Sequence, residues 1–167
     1  MSISRIIKRR RSTRSFLNKP VGINKIRLIL DSGRWAPSGL NNQPWRFVVI
    51  KNKNIKEKIS QFTKYSRVIK QADCLILVFL DKKNSYNLLK DTQAIGACIE
   101  NMLLCALDLG ISSCWLGEIL NRKAKVNKSL KISLRYDLMA AVVLGYSPKK
   151  TKSNRLALDK LILKELL

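Results

Sequence analysis

The residues with the most chemistry in them fall into two short stretches. In the first, Arg9-Arg10-Arg11-Ser12-Thr13-Arg14-Ser15, four Arg and three hydroxyls share seven residues. Guanidinium groups offer forked donors that match a phosphate, and Ser or Thr hydroxyls fill its remaining lone pairs. This is the composition of an anion site, and equally of a solvated basic face. The second stretch runs from Gly33 to Phe47 and holds Gly33, Pro37, Ser38, Gly39, Asn41, Asn42 and Pro44. Such residues cannot continue a helix or a β-ladder. Trp35, Trp45 and Phe47 sit among them, which predicts a packed, shaped loop where a ligand meets backbone amides.

Other chemistries are excluded by what is missing. The chain has no His, which removes Ser-His-Asp and Cys-His nucleophile pairs and most zinc sites. Its four Cys, Cys74, Cys98, Cys105 and Cys114, form no C-x-x-C pair. Cys98 and Cys105 are seven apart, on one face of a helix, with apolar neighbours. Buried free thiols in a reducing compartment are the expectation. Cys114 has no neighbouring charge to lower a thiol pKa, so a redox role is not expected. Lys plus Arg number 33 against 11 Asp plus Glu, a formal charge of +22. That balance favours anionic partners such as phosphates or nucleic acid. The Lys residues are scattered over the whole length rather than gathered in a stripe, and biased composition explains the charge as well.

The elements that must position these stretches read as follows. Ser2 to Arg11 predicts a short helix with Ile3, Ile6 and Ile7 as its stripe, capped by Ser2 or Ser4. A second helix is predicted from an Asn24 cap to about Trp35, with Gly33 near its end. A strand follows at Arg46 to Lys51, then a basic helix at about Asn54 to Phe62. Cys74 to Leu80 is a continuous apolar run of strand length, expected in the middle of a sheet. Leu88 to Leu109 has a wide apolar stripe at helical spacing and stops at Gly110. Ser112 to Glu118 reads as a short strand or turn, and Asn121 to Leu130 as an exposed basic helix. Leu138 to Tyr146 is a second buried strand, with a stop at Gly145. Ser147 to Arg155 reads as a basic linker and Leu156 to Leu167 as an amphipathic helix. Residues 1–167 are expected to form a single α+β domain. No run long enough to span a membrane and no secretory signal is visible, so a cytoplasmic protein is expected.

Three segments, in this order and at this spacing, resemble the FMN-dependent nitroreductase family. They are Arg10-Arg11-Ser12-Thr13-Arg14-Ser15-Phe16, Ala36-Pro37-Ser38-Gly39-Leu40-Asn41-Asn42-Gln43-Pro44-Trp45, and Asp91 to Gly117 with Cys114-Trp115-Leu116-Gly117. Val143-Leu144-Gly145-Tyr146-Ser147-Pro148 and Arg155 fit the same pattern. The resemblance implies an α+β nitroreductase-like fold, with a central mixed sheet of about four strands surrounded by helices, in an intertwined homodimer. FMN would lie at the subunit interface, and the long helix would form much of the dimer core. Arg10, Arg11, Ser12 and Arg14 match positions that hold the FMN phosphate and ring edge. Pro37, Ser38, Gly39 and Asn41 match the loop that approaches the flavin from the partner subunit, with Gln43 close by. Gly117 and Glu118 match the pair whose amides lie near flavin N5 and O4. Arg155 matches a basic residue on the phosphate, with Lys152 assisting. Arg67 is a further possible flavin contact.

The activity implied is transfer of hydride from NADH or NADPH to FMN, then reduction of a nitroaromatic, quinone or similar electron-poor acceptor. Arg14 beside N1 and O2 would stabilise the reduced ring, and the cofactor would carry the hard chemistry. Asp81 to Lys90 leaves little room for the insertion that often covers the flavin, which implies an open site. Two other readings stay open: a non-enzymatic flavin-binding protein of the same fold, and a nucleic-acid-binding protein driven by charge.

Overall fold

The computed structural model of the chain describes residues 2–148 and 151–166. Lys149 and Lys150 of the expected linker, and Leu167 of the expected C-terminal helix, lie outside the described residues. Four strands, β1 (Trp45–Ile50), β2 (Cys74–Asp81), β3 (Ser112–Leu116) and β4 (Tyr136–Gly145), form a sheet of order β1-β2-β4-β3. All three strand pairs are antiparallel. The expected mixed character reduces to one parallel bridge, between Ser12 and Ser113 on the outer edge of β3.

The apolar runs explain why β2 and β4 are central. Every residue of β2 is buried, because helices cover both faces of the sheet. Ile76, Val78 and Leu80 of β2 face the long helix α5 (Leu88–Asp108) and α2 (Ile23–Arg34), with Ala140, Val142 and Leu144 of β4 beside them. Leu75, Leu77 and Phe79 face the other way, onto Ile59 of α3 (Lys53–Ser60), Ile69 of α4 (Ser66–Gln71) and Val126 of α6 (Lys123–Leu130). A register shift at Val78/Phe79 moves Leu138 onto this second face, as one extra residue in a strand must. A fully buried aliphatic side chain contributes about 1.5–3 kcal/mol, so these two layers hold the fold together.

Glycines mark where elements meet. Gly110 adopts φ 72° and ends α5 as expected, with Ile111 N–H donating to Ala106 O at 2.7 Å. Gly33 lies near the end of α2 as expected, and it also has a packing role. It is buried within α2, and a Cβ there would come within 2.8 Å of Met102 Cγ, so it permits α2 and α5 to approach. Gly145 ends β4 for a similar reason: a Cβ would meet Phe16 Cδ1 at 2.7 Å.

Several boundaries are corrected. Asn24 is not the cap of α2; Gly22 occupies that position, without a side-chain bond. Ser2 precedes the first helix, α1 (Ile3–Arg9), also without a side-chain cap bond. Asn52 and Asn87 do cap, accepting from Ile55 N–H and Lys90 N–H. Helix α4 has no counterpart in the sequence reading, because its six residues are too few to show a period. The C-terminal helix is absent among the described residues. In its place stands one 3-10 turn, Leu158–Lys160, and Leu156, Leu158, Leu161, Leu163 and Leu166 are exposed. An amphipathic helix takes most of its stability from packing its apolar face, and none of the described elements covers that stripe. Among the described residues, no helix is long and apolar enough to cross a membrane.

Candidate functional site

The arginine stretch is positioned by the free edge of β3. Thr13 N–H donates to Ser113 O at 2.9 Å, Ser12 forms the parallel bridge, and Thr13 is buried. Leu17 N–H then bonds Tyr146 O at 2.8 Å. The segment covers an exposed strand edge and fans its arginines out beside it. Arg10, Arg11, Ser12, Arg14, Thr151, Lys152, Ser153 and Arg155 line a cavity of about 220 Å³. The two basic ends of the chain thus meet at one place.

The electrostatics of that cavity are unbalanced. One carboxylate, Glu100 of α5, opposes Arg10 at 3.5 Å. Arg11 is pinned by Nη1, which donates to Lys8 O at 2.7 Å and to Arg10 O at 2.8 Å. Its Nε is buried and has no hydrogen-bond partner among the described residues. Buried donors are almost always satisfied, so this nitrogen wants an acceptor. A phosphate monoester fits the donor set. Arg14 lies 6.0 Å from the ring centroid of Tyr65. Arg155 Nη1 bonds Ser153 Oγ and Asn154 O, each at 2.9 Å.

The second stretch is a rigid turn elsewhere on the chain. Leu40, Asn41 and Gln43 all adopt left-handed φ, at 55°, 51° and 45°. For non-glycine residues such backbone costs of order 1–3 kcal/mol each and collects at functional sites. Side chains hold it: Ser38 Oγ accepts from Gln43 N–H at 3.1 Å, and Gln43 Nε2 donates to Asn41 O and Oδ1 at 3.3 and 3.2 Å. Gly39 has no room for a side chain, since a Cβ would meet the Tyr86 hydroxyl at 1.9 Å. Pro37, Ser38 and Gly39 line a cavity of about 320 Å³ with Lys90, Gln93, Ala94 and Ala97 of α5. Asn41 and Gln43 line neither this cavity nor the basic one.

Two buried acids anchor this turn, and sequence reasoning missed both. Asp91 is fully buried. Its Oδ2 accepts from Ser85 Oγ at 2.6 Å, Tyr86 N–H at 3.0 Å and Asn87 N–H at 3.3 Å. Its Oδ1 accepts from Asn42 Nδ2 at 2.8 Å. Burial pushes this carboxyl up, but the four donors outweigh burial and hold it below its ordinary pKa. The signal was in the helical period: Asp91, Ile95, Cys98 and Met102 are spaced by four, three and four, which puts Asp91 on the buried stripe. Asp81 ends the apolar β2 run and is also fully buried. Arg135 Nε and Nη2 grip it at 2.6 Å each, with Arg46 Nη2 at 3.1 Å. The Arg135 hydrogen bonds hold that carboxyl below the usual range.

Gly117 and Glu118 follow β3. A Cβ on Gly117 would meet nothing within 4 Å, so its backbone is open to a ligand. The Glu118 side chain turns elsewhere. Its Oε2 accepts from Thr63 Oγ1 at 2.5 Å and from Lys64 N–H at 2.9 Å, and these bonds lower its pKa. A carboxylate engaged in this way is a strut rather than a proton donor. Arg67 is exposed on α4 and lines none of these cavities. Burial raises the Cys114 thiol pKa despite the nearby Arg14 charge, which leaves it little thiolate character. Burial likewise pushes Cys98 up to about 12.

The structure therefore unites Arg10, Arg11, Ser12, Arg14, Lys152 and Arg155 but not Pro37, Ser38 and Gly39, which line a different cavity.

The profile of the Nitroreductase family matches residues 7–66 and 61–146. A candidate NADH dehydrogenase/NAD(P)H nitroreductase of Archaeoglobus fulgidus is 33% identical over 151 residues, covering 89% of this chain and 86% of that protein. A protein of the same description from Methanothermobacter thermautotrophicus is 28% identical, over 87% of this chain and 78% of its own. A candidate nitroreductase of Desulfovibrio desulfuricans, crystallised in complex with FMN, superposes with a TM-score of 0.96 at 39% identity, covering 100% of this chain and 98% of that one. With its profile matched across both the arginine segment and the β4 strand, the chain belongs to the Nitroreductase family.

Proposed function

We propose that this chain is an FMN-dependent NAD(P)H oxidoreductase that reduces nitroaromatics, quinones or similar electron-poor acceptors in two half-reactions at one site. The observation that carries the reading is the basic cavity with the unpartnered, buried Arg11 Nε. Arg10, Arg11, Ser12, Lys152 and Arg155 would hold the phosphate, Arg14 the ring edge, and the Gly117 and Glu118 backbone the far side of the ring. Bound FMN supplies a ring that accepts hydride at N5 and passes two electrons on. The separation of Pro37, Ser38 and Gly39 from the arginine cavity supports a site completed by a second copy, with Asn41 and Gln43 stiffening the turn. Exposed Leu156, Leu158, Leu161 and Leu163 supply an apolar tail for a homodimer to cover. The free cysteines suit a reducing compartment such as the cytoplasm.

The purified protein should show flavin absorbance, bleach with NADH or NADPH under argon, and regain colour with a nitro compound. A protein that binds FMN but does not bleach is a non-enzymatic flavin binder. A colourless protein that takes up no FMN and binds DNA with a steep salt dependence sinks the reading.

The Glu118 strut has its own consequence. It fixes the Thr63-Lys64 turn, Thr63 Oγ1 accepts from Tyr65 N–H at 3.2 Å, and Tyr65 lies beside Arg14. Glu118→Ala should raise the FMN Kd by about two- to fivefold, the range of an exposed charged contact. Thr63→Val should do the same, and the double variant should be no worse than either. Flavin fluorescence titration measures all three. A fall in kcat with unchanged FMN binding would instead make Glu118 a proton donor.

A further inference from the structure

We infer that the cavity between the Pro37–Gly39 turn and the start of α5 recognises an anionic substituent, a carboxylate or sulfonate, on a flat aromatic acceptor. Lys90 and Gln93 are the recognising groups. This deepens the proposed function and rests on the Pro37–Gly39 turn facing the flavin bound by the other subunit.

The cavity combines a flat floor with few polar groups. Residues 90, 93, 94 and 97 follow helical spacing, so they present one face of α5 to the turn. Ala94 and Ala97 are small and Gly39 has no side chain, which leaves a smooth surface for a planar ring. Lys90 and Gln93 are its long polar side chains, and Tyr86 stands beside it. The Tyr86 hydroxyl lies against Gly39, and Lys90 Nζ lies 5.5 Å from the Tyr86 ring centroid. Lys90 and Gln93 are exposed.

Lys90 is a cation without a carboxylate partner among the described residues. Its sequence neighbour Asp91 points into the core, where four donors saturate it. Lys90 also stands in the first turn of a 21-residue helix, where the helix end adds partial positive charge. The Gln93 amide brings two further donors. An apolar slot with a few convergent polar groups is the usual form of a small-molecule site. The turn opposite is stiff, so binding need not order it.

The test uses the FMN-loaded enzyme with saturating NADH or NADPH, and compares kcat/KM for 4-nitrobenzoate with that for its uncharged methyl ester. The wild-type protein should favour the carboxylate, and added salt should weaken that preference. Lys90→Met should lower the carboxylate-to-ester ratio by about three- to fivefold, the effect of one exposed cation at a rim. Gln93→Leu should lower it less. Lys128→Met, a change of one exposed lysine on α6, should leave the ratio unchanged and so separates a local effect from the net charge of +22. A ratio equal in wild-type and Lys90→Met protein overturns the inference, as does a wild-type enzyme that reduces the ester without preferring the acid. Failure to bind FMN, or to reduce either compound, overturns the underlying function and the inference with it.

Discussion

Replacing Arg11 with Met should raise the Kd for FMN by about two orders of magnitude and should barely alter riboflavin binding. On the proposed function, Arg11 would be the best-placed phosphate ligand of the basic cavity. Two backbone carbonyls hold its Nη1, so little side-chain entropy is lost when an anion arrives. Its Nε is already desolvated and unpartnered, so a phosphate oxygen satisfies it without displacing another bond. A hydrogen bond to a charged group contributes about 1.5–3 kcal/mol, and the upper part of that range corresponds to about a hundredfold in Kd. Riboflavin lacks the phosphate and serves as the control. Arg11→Lys keeps the charge but loses the fork, and should fall between. Fluorescence titration of the apoprotein measures each. Equal losses for FMN and riboflavin would mean that Arg11 acts through the fold.

Asp91→Ala should cost about 3 kcal/mol of stability and loosen the Pro37–Gly39 turn. The loss leaves four donors without their acceptor, and unsatisfied buried groups cost about 1–3 kcal/mol each, with incomplete additivity. Asn42 ties the turn to α5 through this carboxylate, so the turn that carries Leu40, Asn41 and Gln43 at positive φ loses its anchor to α5. Asp91→Asn should be nearly as harmful, because its amide presents donors where donors already converge. The pH dependence has a definite sign. The folded carboxyl lies below its ordinary value, and an unfolded Asp titrates near about 3.9. Its contribution is therefore complete above the unfolded value and is lost as pH falls through the lower folded one. Urea unfolding at several pH values should show an acid-side loss in the wild-type protein that is smaller in Asp91→Ala. An unchanged midpoint would show that the turn does not depend on this anchor.

Much of the architecture was readable from periodicity. The apolar runs Cys74 to Leu80 and Leu138 to Leu144 announced two central strands because helices cover both faces of the sheet, leaving no polar alternation to blur them. The stripe of α5 was equally plain, and its long period even carried Asp91 as a polar intrusion. Helix α4 was too short to show a period. The C-terminal stripe promised a helix that the described residues do not form, since a stripe reports what a segment can bury rather than whether a surface is there to bury it.

The sequence by itself determined the local chemistry: four closely spaced arginines with hydroxyls for an anion, a turn of Pro, Ser, Gly and Asn, no His, and no C-x-x-C pair among the four cysteines. These are properties of residue type and spacing, and they survive in any fold that exposes them. Only the tertiary structure decided which groups meet and which are left unsatisfied. It brought Arg155 to Arg10 across most of the chain, laid Ser12 and Thr13 on the edge of β3, and turned the Glu118 carboxylate toward Thr63. It also buried Arg11 Nε without a partner and set the Pro37–Gly39 turn in a cavity of its own. The physical reason is that hydrogen-bond satisfaction and charge balance are sums over all neighbours, and neighbours distant in sequence are chosen by packing.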